Sequence, residues 1–176
     1  MMRQIVSSAL GVWVVCGAAW AESEQGVVVE LYTSQGCSSC PPADHLMGEL
    51  AEMPGVIGLA LHVDYWDYIG WTDTFADPHY TARQKAYAHA AGERMIYTPQ
   101  MIVDGGPRVE GNQPGKVAAA IAQSSETPKD IDLDLDQSNG QLTIHAESRS
   151  AIPDGTTVQL VRYIDRSQVV IDRGEN

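Results

Sequence analysis

The sequence predicts an α/β fold: a small mixed sheet flanked by helices, followed by a β-rich C-terminal extension. Three observations predict it. Val27 to Tyr32 and Val56 to Val63 are continuous apolar runs of strand length. Each is followed by a segment with helical spacing or helical punctuation. Beyond residue 130 helical spacing gives way to strict alternation, as in Ile131, Leu133 and Leu135 set between aspartates.

The first run, VVVELY, is bounded by Gly26 and by Thr33-Ser34-Gln35-Gly36, and reads as a buried strand. Cys40 to Met53 carries Leu46, Leu50 and Met53 at helical spacing and ends at Pro54-Gly55. Val56 to Val63 is a second buried strand. An aromatic loop follows, with Tyr65, Trp66, Tyr68, Trp71 and Phe75. Asp77 can cap the next helix, Pro78 suits its first position and Gly92 its end. Gln100 to Val103 and Arg108 to Glu110 form a hairpin around Asp104-Gly105-Gly106. A third helix runs from about Pro114 to Gln123, with Val117 and Ile121 inward.

Two strands separated by a helix pair in parallel through a right-handed crossover, while the hairpin is antiparallel. Ser124 to Asp130 reads as a linker. After it, Asn139-Gly140 is a two-residue hairpin signal and Pro153-Asp154-Gly155 a further turn. Val158 to Ile164 and Val169 to Ile171 are expected strands.

The chain divides into a secretory signal over 1–21, an α/β domain over 22–123 and the extension over 124–176. Arg3 gives the signal a basic start, Ile5 to Trp20 an apolar run, and Ala19-Trp20-Ala21 a cleavage site. That run is too short for a spanning helix, so no membrane association is expected after cleavage. The protein is expected in the periplasm or outside the cell. The formal charge of -12 and the lack of any basic cluster exclude nucleic acid as an expected partner.

Cleavage removes Cys16 and leaves Cys37 and Cys40, in an oxidising compartment where a disulfide persists. A loop this short takes little entropy from the unfolded chain, which weakens a purely stabilising role. Cys37-Ser38-Ser39-Cys40 stands where a strand hands over to a helix. A helix N-terminus presents unpaired N–H groups and partial positive charge, which favour a thiolate, the nucleophile of disulfide exchange. Cys37 is then the exposed attacker and Cys40, one turn inside, resolves the mixed disulfide. Ser38 and Ser39 keep bulk away from the sulfurs and add hydroxyl donors. They include no cation, which argues against a very strong oxidant. Pro41 and Pro42 fall where missing N–H groups cost least.

The competing reading of C-x-x-C is half of a zinc site. Zinc wants four ligands, and His45, His62, His79, His89 and His145 form no suitably spaced pair beside a second cysteine pair. No metal and no organic cofactor is expected. The partners expected are an exported protein or a small-molecule thiol or disulfide, with a redox partner that the sequence does not identify.

Val29 to Asp44 (VELYTSQGCSSCPPAD) resembles a secreted thioredoxin-like family, domain of unknown function 1223. So do His62-Val63-Asp64-Tyr65-Trp66-Asp67, Gly70-Trp71, Arg83-Gln84, Tyr87 and Tyr97-Thr98-Pro99. The resemblance spans residues 26 to 176 and implies a thioredoxin-like core with a β-rich extension. It names no substrate. It also implies more strands after Asn176, so the extension is expected to be truncated. Pro99 stands where that superfamily has a cis-proline facing the cysteine pair, and Thr98 and Tyr97 then border the substrate.

Glu30 matches the buried carboxylate that relays the resolving thiol's proton in thioredoxins, although it lies one position farther from the first cysteine. If buried, it should have a raised pKa; if outward, it is a solvated strand residue. Trp66 and Trp71 belong to a long aromatic and acidic insertion. They either form a specificity surface near the cysteines or pack as a lid on the core, with Asp64, Asp67 and Asp73 capping turns.

The sequence thus points to an exported thiol–disulfide oxidoreductase. The alternatives are a secreted binding module with an inert disulfide, and a metal-handling protein.

Overall fold

A computed structural model describes residues 25–176. The secretory signal expected over 1–21 and Cys16 lie outside them. The chain runs β1 (Val27–Thr33), α1 (Pro41–Ala51), β2 (Val56–His62), α2 (Pro78–Ala90), β3 (Gln100–Val103), β4 (Arg108–Glu110), α3 (Pro114–Glu126), β5 (Ile131–Ser138) and β6 (Gln141–Ser148). A short 3₁₀ turn, Asp67–Ile69, lies in the loop before α2.

The first four strands form one mixed sheet in the order β2-β1-β3-β4. β1 and β2 are parallel, with Val27 opposite Val56 and Thr33 opposite His62. β3 runs antiparallel to both β1 and β4. Alternation along β1 sorts its side chains onto two faces. Val27, Val29 and Leu31 pack with Ala43, Met47 and Leu50 of α1 and with Val117, Ala120 and Ile121 of α3. Tyr32 packs on the other face with Ile102, Val63, Tyr65, Trp66 and Tyr87, beneath α2. Helices on both faces make this an α/β fold, as the sequence predicts.

The punctuation of α2 is as expected. The Asp77 carboxylate accepts from the His79 N–H, Pro78 is the first helical residue, and Gly92 has φ +72°. Asn139 and Gly140 both take positive φ, and Ser138 faces Gln141, so β5 and β6 join through a two-residue turn.

Several details differ from the sequence reading. β2 is an edge strand and is half-exposed instead of buried, because β1 covers only one of its sides. In α1 the inward stripe is Ala43, Met47 and Leu50. Met53 falls beyond the last helical turn and is 49% exposed. Ser124 to Glu126, expected in the linker, complete α3, whose buried Ser124 hydroxyl donates to Asp104. Val158 to Ile164 and Val169 to Ile171 are not strands. Both segments are rich in β-branched and apolar residues, but among the described residues no neighbouring strand completes a hydrogen-bond ladder with them, and an isolated extended segment has no such stabilisation.

Candidate functional site

Cys37 and Cys40 form a disulfide in the turn just before α1. The Cys37 N–H donates to the Ser34 carbonyl and the Cys40 N–H to the Cys37 carbonyl, each at 3.1 Å. Cys40 is the N-cap of α1, so both cysteines precede the helix, where the sequence reading had Cys40 one turn inside. The expected free N–H groups are also missing. Pro41 and Pro42 have none, and the N–H groups of Ala43 and Asp44 both donate to the Cys40 carbonyl, at 2.8 and 3.0 Å.

Cys37 was expected to be exposed, but it keeps only 2% of its surface; Cys40 keeps none, and Ser38 and Ser39 are exposed. Covering groups come from two places. The Thr98 hydroxyl donates to Cys37 Sγ at 3.2 Å. The loop after β2 packs on the preceding residue, where a Cβ added to Gly36 would stand 3.1 Å from both Trp66 Cβ and Ile69 Cδ1.

The Thr98–Pro99 peptide bond is cis, and Pro99 is buried at the start of β3. Ser39 Oγ lies 3.5 Å from Cys37 Sγ and equally far from the Thr98 carbonyl oxygen. The Trp66 indole N–H donates to Thr98 Oγ1 at 2.8 Å. Trp66, Thr98, Pro99, Ser39 and the cysteines therefore form one cluster. Tyr97 precedes Thr98 in the chain, and its carbonyl accepts from Gln84 Nε2 at 2.8 Å, outside the cluster. Trp71 stands one step away, donating to Gln35 Oε1 at 2.6 Å.

Glu30 is not part of this cluster. Its side chain shares the α2 face of β1 with Tyr32, whereas α1 packs on the opposite face. It is 3% exposed and accepts from Arg83, Tyr87 and Tyr32. The rise expected on burial does not occur. Burial pushes the carboxyl up, but those hydrogen bonds and the Arg83 charge outweigh it and hold Glu30 below the usual carboxylate range.

Asp73, read from the sequence as a turn-capping residue, also stands with His62 and Asp44 around the loop before Cys37. Asp73, fully buried at its side chain, accepts from the Gln35 N–H at 2.8 Å and the Phe75 N–H at 2.8 Å, and lies 2.7 Å from His62 Nδ1. Burial raises its carboxyl, but the His62 contact and the two backbone N–H groups hold it below its ordinary value. Asp44, in the first turn of α1, accepts from Asn176 Nδ2 at 2.5 Å, and burial pushes its carboxyl up. A cavity of about 320 Å³ opens beside them, lined by Gln35, Asp44, His62, Phe75 and Asn176 among others. A larger one, about 480 Å³, is lined by Asp104, Lys129 and neighbouring residues and includes no residue of the cysteine cluster. The only sequence signal for these partners was polarity inside the H-V-D-Y-W-D segment and its acidic loop.

Among the described residues no group of three or more His, Cys, Asp or Glu side chains could hold a metal ion. No helix among them is long and apolar enough to cross a membrane.

The model of a family described as protein of unknown function, DUF1223, matches residues 28–176. A crystal structure of a protein from Agrobacterium tumefaciens, solved as a structural-genomics target, is similar at 37% identity with a TM-score of 0.61. The match covers 67% of this chain and 54% of that one, so this chain aligns with about half of that protein's length. No curated protein matches the chain.

Proposed function

We propose that this chain, which belongs to the DUF1223 family of proteins of unknown function, is an exported thiol–disulfide oxidoreductase acting through Cys37 and Cys40. One observation carries the reading: the Cys37–Cys40 disulfide sits in the turn that opens α1, with Cys37 Sγ hydrogen-bonded at 3.2 Å to the residue preceding Pro99. A disulfide whose role was only to stabilise would close a longer loop. The order β2-β1-β3-β4, with α1 and α3 on one face and α2 on the other, supports the thioredoxin-like reading. Export rests on the N-terminal basic, apolar and A-x-A pattern.

The chemistry is two sulfur-exchange steps. A substrate thiolate attacks Cys37 Sγ, the Cys37–Cys40 bond breaks, and Cys40 leaves as a thiolate that takes up a proton. A second substrate thiolate then attacks the substrate sulfur of the mixed disulfide and expels Cys37 as a thiolate, which takes up the second proton. The substrate dithiol loses two electrons and two protons, and the cysteine pair gains them. The same steps in reverse make the reduced pair a reductant. No organic cofactor enters either direction.

Substrate must reach the sulfur of Cys37, a residue only 2% exposed. The loop between His62 and Asp77 rests Trp66 and Ile69 on Gly36, the residue before Cys37, and its displacement would open a route to the sulfur. That same burial favours a second reading, a binding module whose disulfide is inert.

Trapping separates the two. In a Cys40→Ser variant made in its native compartment, the exchange reading expects a mixed disulfide between Cys37 and a client protein or small thiol. No trapped species, while a small thiol reagent still modifies Cys37, would establish the binding-module reading instead.

A further inference from the structure

We propose that the Thr98 hydroxyl is a catalytic hydrogen-bond donor to the Cys37 thiolate, and that Trp66 is the positioning residue that aims it. The inference rests on the exchange reading of the same cysteine pair and adds how its nucleophile is stabilised.

A thiolate at Cys37 would be formed at a site that is nearly dry, and desolvation raises a thiol's pKa. The usual remedies are lacking. No free backbone N–H remains in the first turn of α1. Among the described residues no cationic side chain hydrogen-bonds to either sulfur. The titratable groups on the packed elements are Asp44, His45 and Glu49 of α1, His62 at the end of β2 and, in the loop, Asp64, Tyr65, Asp67, Tyr68 and Asp73. The two histidines face carboxylates, His45 with Glu49 at 3.4 Å and His62 with Asp73 at 2.7 Å, and neither hydrogen-bonds to a sulfur. The side-chain donors within reach of Sγ are the Thr98 and Ser39 hydroxyls, at 3.2 and 3.5 Å.

The two hydroxyls are not equivalent. Ser39 has one proton and two acceptors at the same 3.5 Å, the sulfur and the Thr98 carbonyl. Thr98 Oγ1 receives the Trp66 indole N–H at 2.8 Å, and an indole nitrogen can only donate. The Thr98 oxygen is therefore the acceptor in that bond, which leaves its own proton free for Cys37 Sγ at 3.2 Å. The competing acceptor is the Tyr65 hydroxyl, which also lies beside Thr98 while donating to Gln84 Oε1 at 3.3 Å. The chain indole, hydroxyl, sulfur strengthens as negative charge builds on the sulfur, because a hydrogen bond to an ion is about twice as strong as one between neutral groups.

The experiment reads the thiolate absorbance of reduced protein against pH, in a Cys40→Ser background so that Cys37 alone is followed. Thr98→Val should raise the Cys37 pKa by about one unit, the scale of one lost hydrogen bond to a charged group. Thr98→Ser should restore it, and Trp66→Phe should raise it by a smaller amount with Thr98 intact. Thr98→Ala replaces the valine variant should that one not fold. A Thr98→Val titration superimposable on the parent, or a Thr98→Ser variant that behaves like the valine, overturns the donor role. A Trp66→Phe titration identical to the parent overturns the positioning role. The titration needs no substrate, so its outcome is independent of whether Cys37 traps a client.

Discussion

One guanidinium holds both oxygens of the Glu30 carboxylate: Arg83 Nε stands 2.7 Å from Oε2 and Nη2 stands 2.8 Å from Oε1. The pair ties α2 to β1 across the face of the sheet opposite α1, and the Tyr87 and Tyr32 hydroxyls complete the carboxylate's partners. Those bonds outweigh burial and lower the Glu30 pKa from 4.5. The unfolded chain then binds more protons in acid than the native one. The stability from this pair is full above the unfolded value and is lost as pH falls through the native one.

Arg83→Ala should reverse that balance. Burial would then dominate, the Glu30 pKa would rise, and the loss of stability would begin at higher pH. Breaking a buried pair costs about 3–5 kcal/mol, but Arg83 is 41% exposed and two phenols remain, so about 1–3 kcal/mol is expected near neutral pH. Glu30→Gln should flatten the acid limb of the stability curve. Urea denaturation from acid to neutral pH measures both. Because neither Glu30 nor Arg83 hydrogen-bonds to Trp66, Thr98 or a cysteine, neither variant should alter the Cys37 titration.

Gln84 supports the site from behind. Fully buried on α2, it donates to the Tyr97 carbonyl at 2.8 Å and to Gln100 Oε1 at 2.9 Å, so it holds both ends of the Thr98–Pro99 segment. Gln84→Leu keeps much of the volume but leaves two buried acceptors without donors. A cost of about 1–3 kcal/mol is expected from the unpaired groups. Thermal unfolding measures that loss, and the trapping yield of the Cys40→Ser background should fall with it as Thr98 loses its place. Unchanged trapping alongside lost stability would make Gln84 a packing residue only.

Asp73 does the same for the loop before the cysteines. Its carboxylate accepts the Gln35 N–H, and Gln35 in turn accepts the Trp71 indole N–H. Asp73→Ala would strand a buried backbone N–H and the His62 imidazole. About 1–3 kcal/mol of stability should be lost, read by chemical denaturation at neutral pH. Burial notwithstanding, the His62 contact and two backbone N–H groups hold Asp73 below 3.8, so its contribution is full above that value and disappears as pH falls through the native one. Asp73→Asn keeps one acceptor oxygen and should lose less than the alanine.

These networks mark the boundary of what the sequence could reveal. The ends of α2 were legible because Asp77, Pro78 and Gly92 act within one turn of themselves. The β5–β6 turn was legible because Asn139-Gly140 meets its positive-φ requirement locally. The cysteine pair and the Thr98–Pro99 segment were legible as motifs. Asp73 with Gln35 and Glu30 with Arg83 were not, because each joins groups 38 and 53 positions apart and leaves no periodic trace. Glu30 stayed open between burial and solvent for the same reason, and the sign of its pKa once buried depended on partners from α2. The apolar, β-branched composition from Val158 to Ile164 suggested a strand without naming one to pair with.

The covering of Cys37 is tested most directly at Gly36. A methyl group there would stand 3.1 Å from Ile69 Cδ1, the free end of a side chain that can turn away, and 3.1 Å from Trp66 Cβ, which moves only with its backbone. Gly36→Ala should therefore push Trp66 outward and lengthen its 2.8 Å bond to Thr98. Overpacking of this kind costs about 1–3 kcal/mol, and the lower end applies where one neighbour is flexible. The reduced variant should react several-fold faster with a small thiol reagent at a fixed fraction of thiolate, because the loop that shields Cys37 is displaced. Its Cys37 pKa should rise toward that of Trp66→Phe. Equal reactivity in parent and variant, measured at matched thiolate fraction, would mean that the loop does not control access to the sulfur.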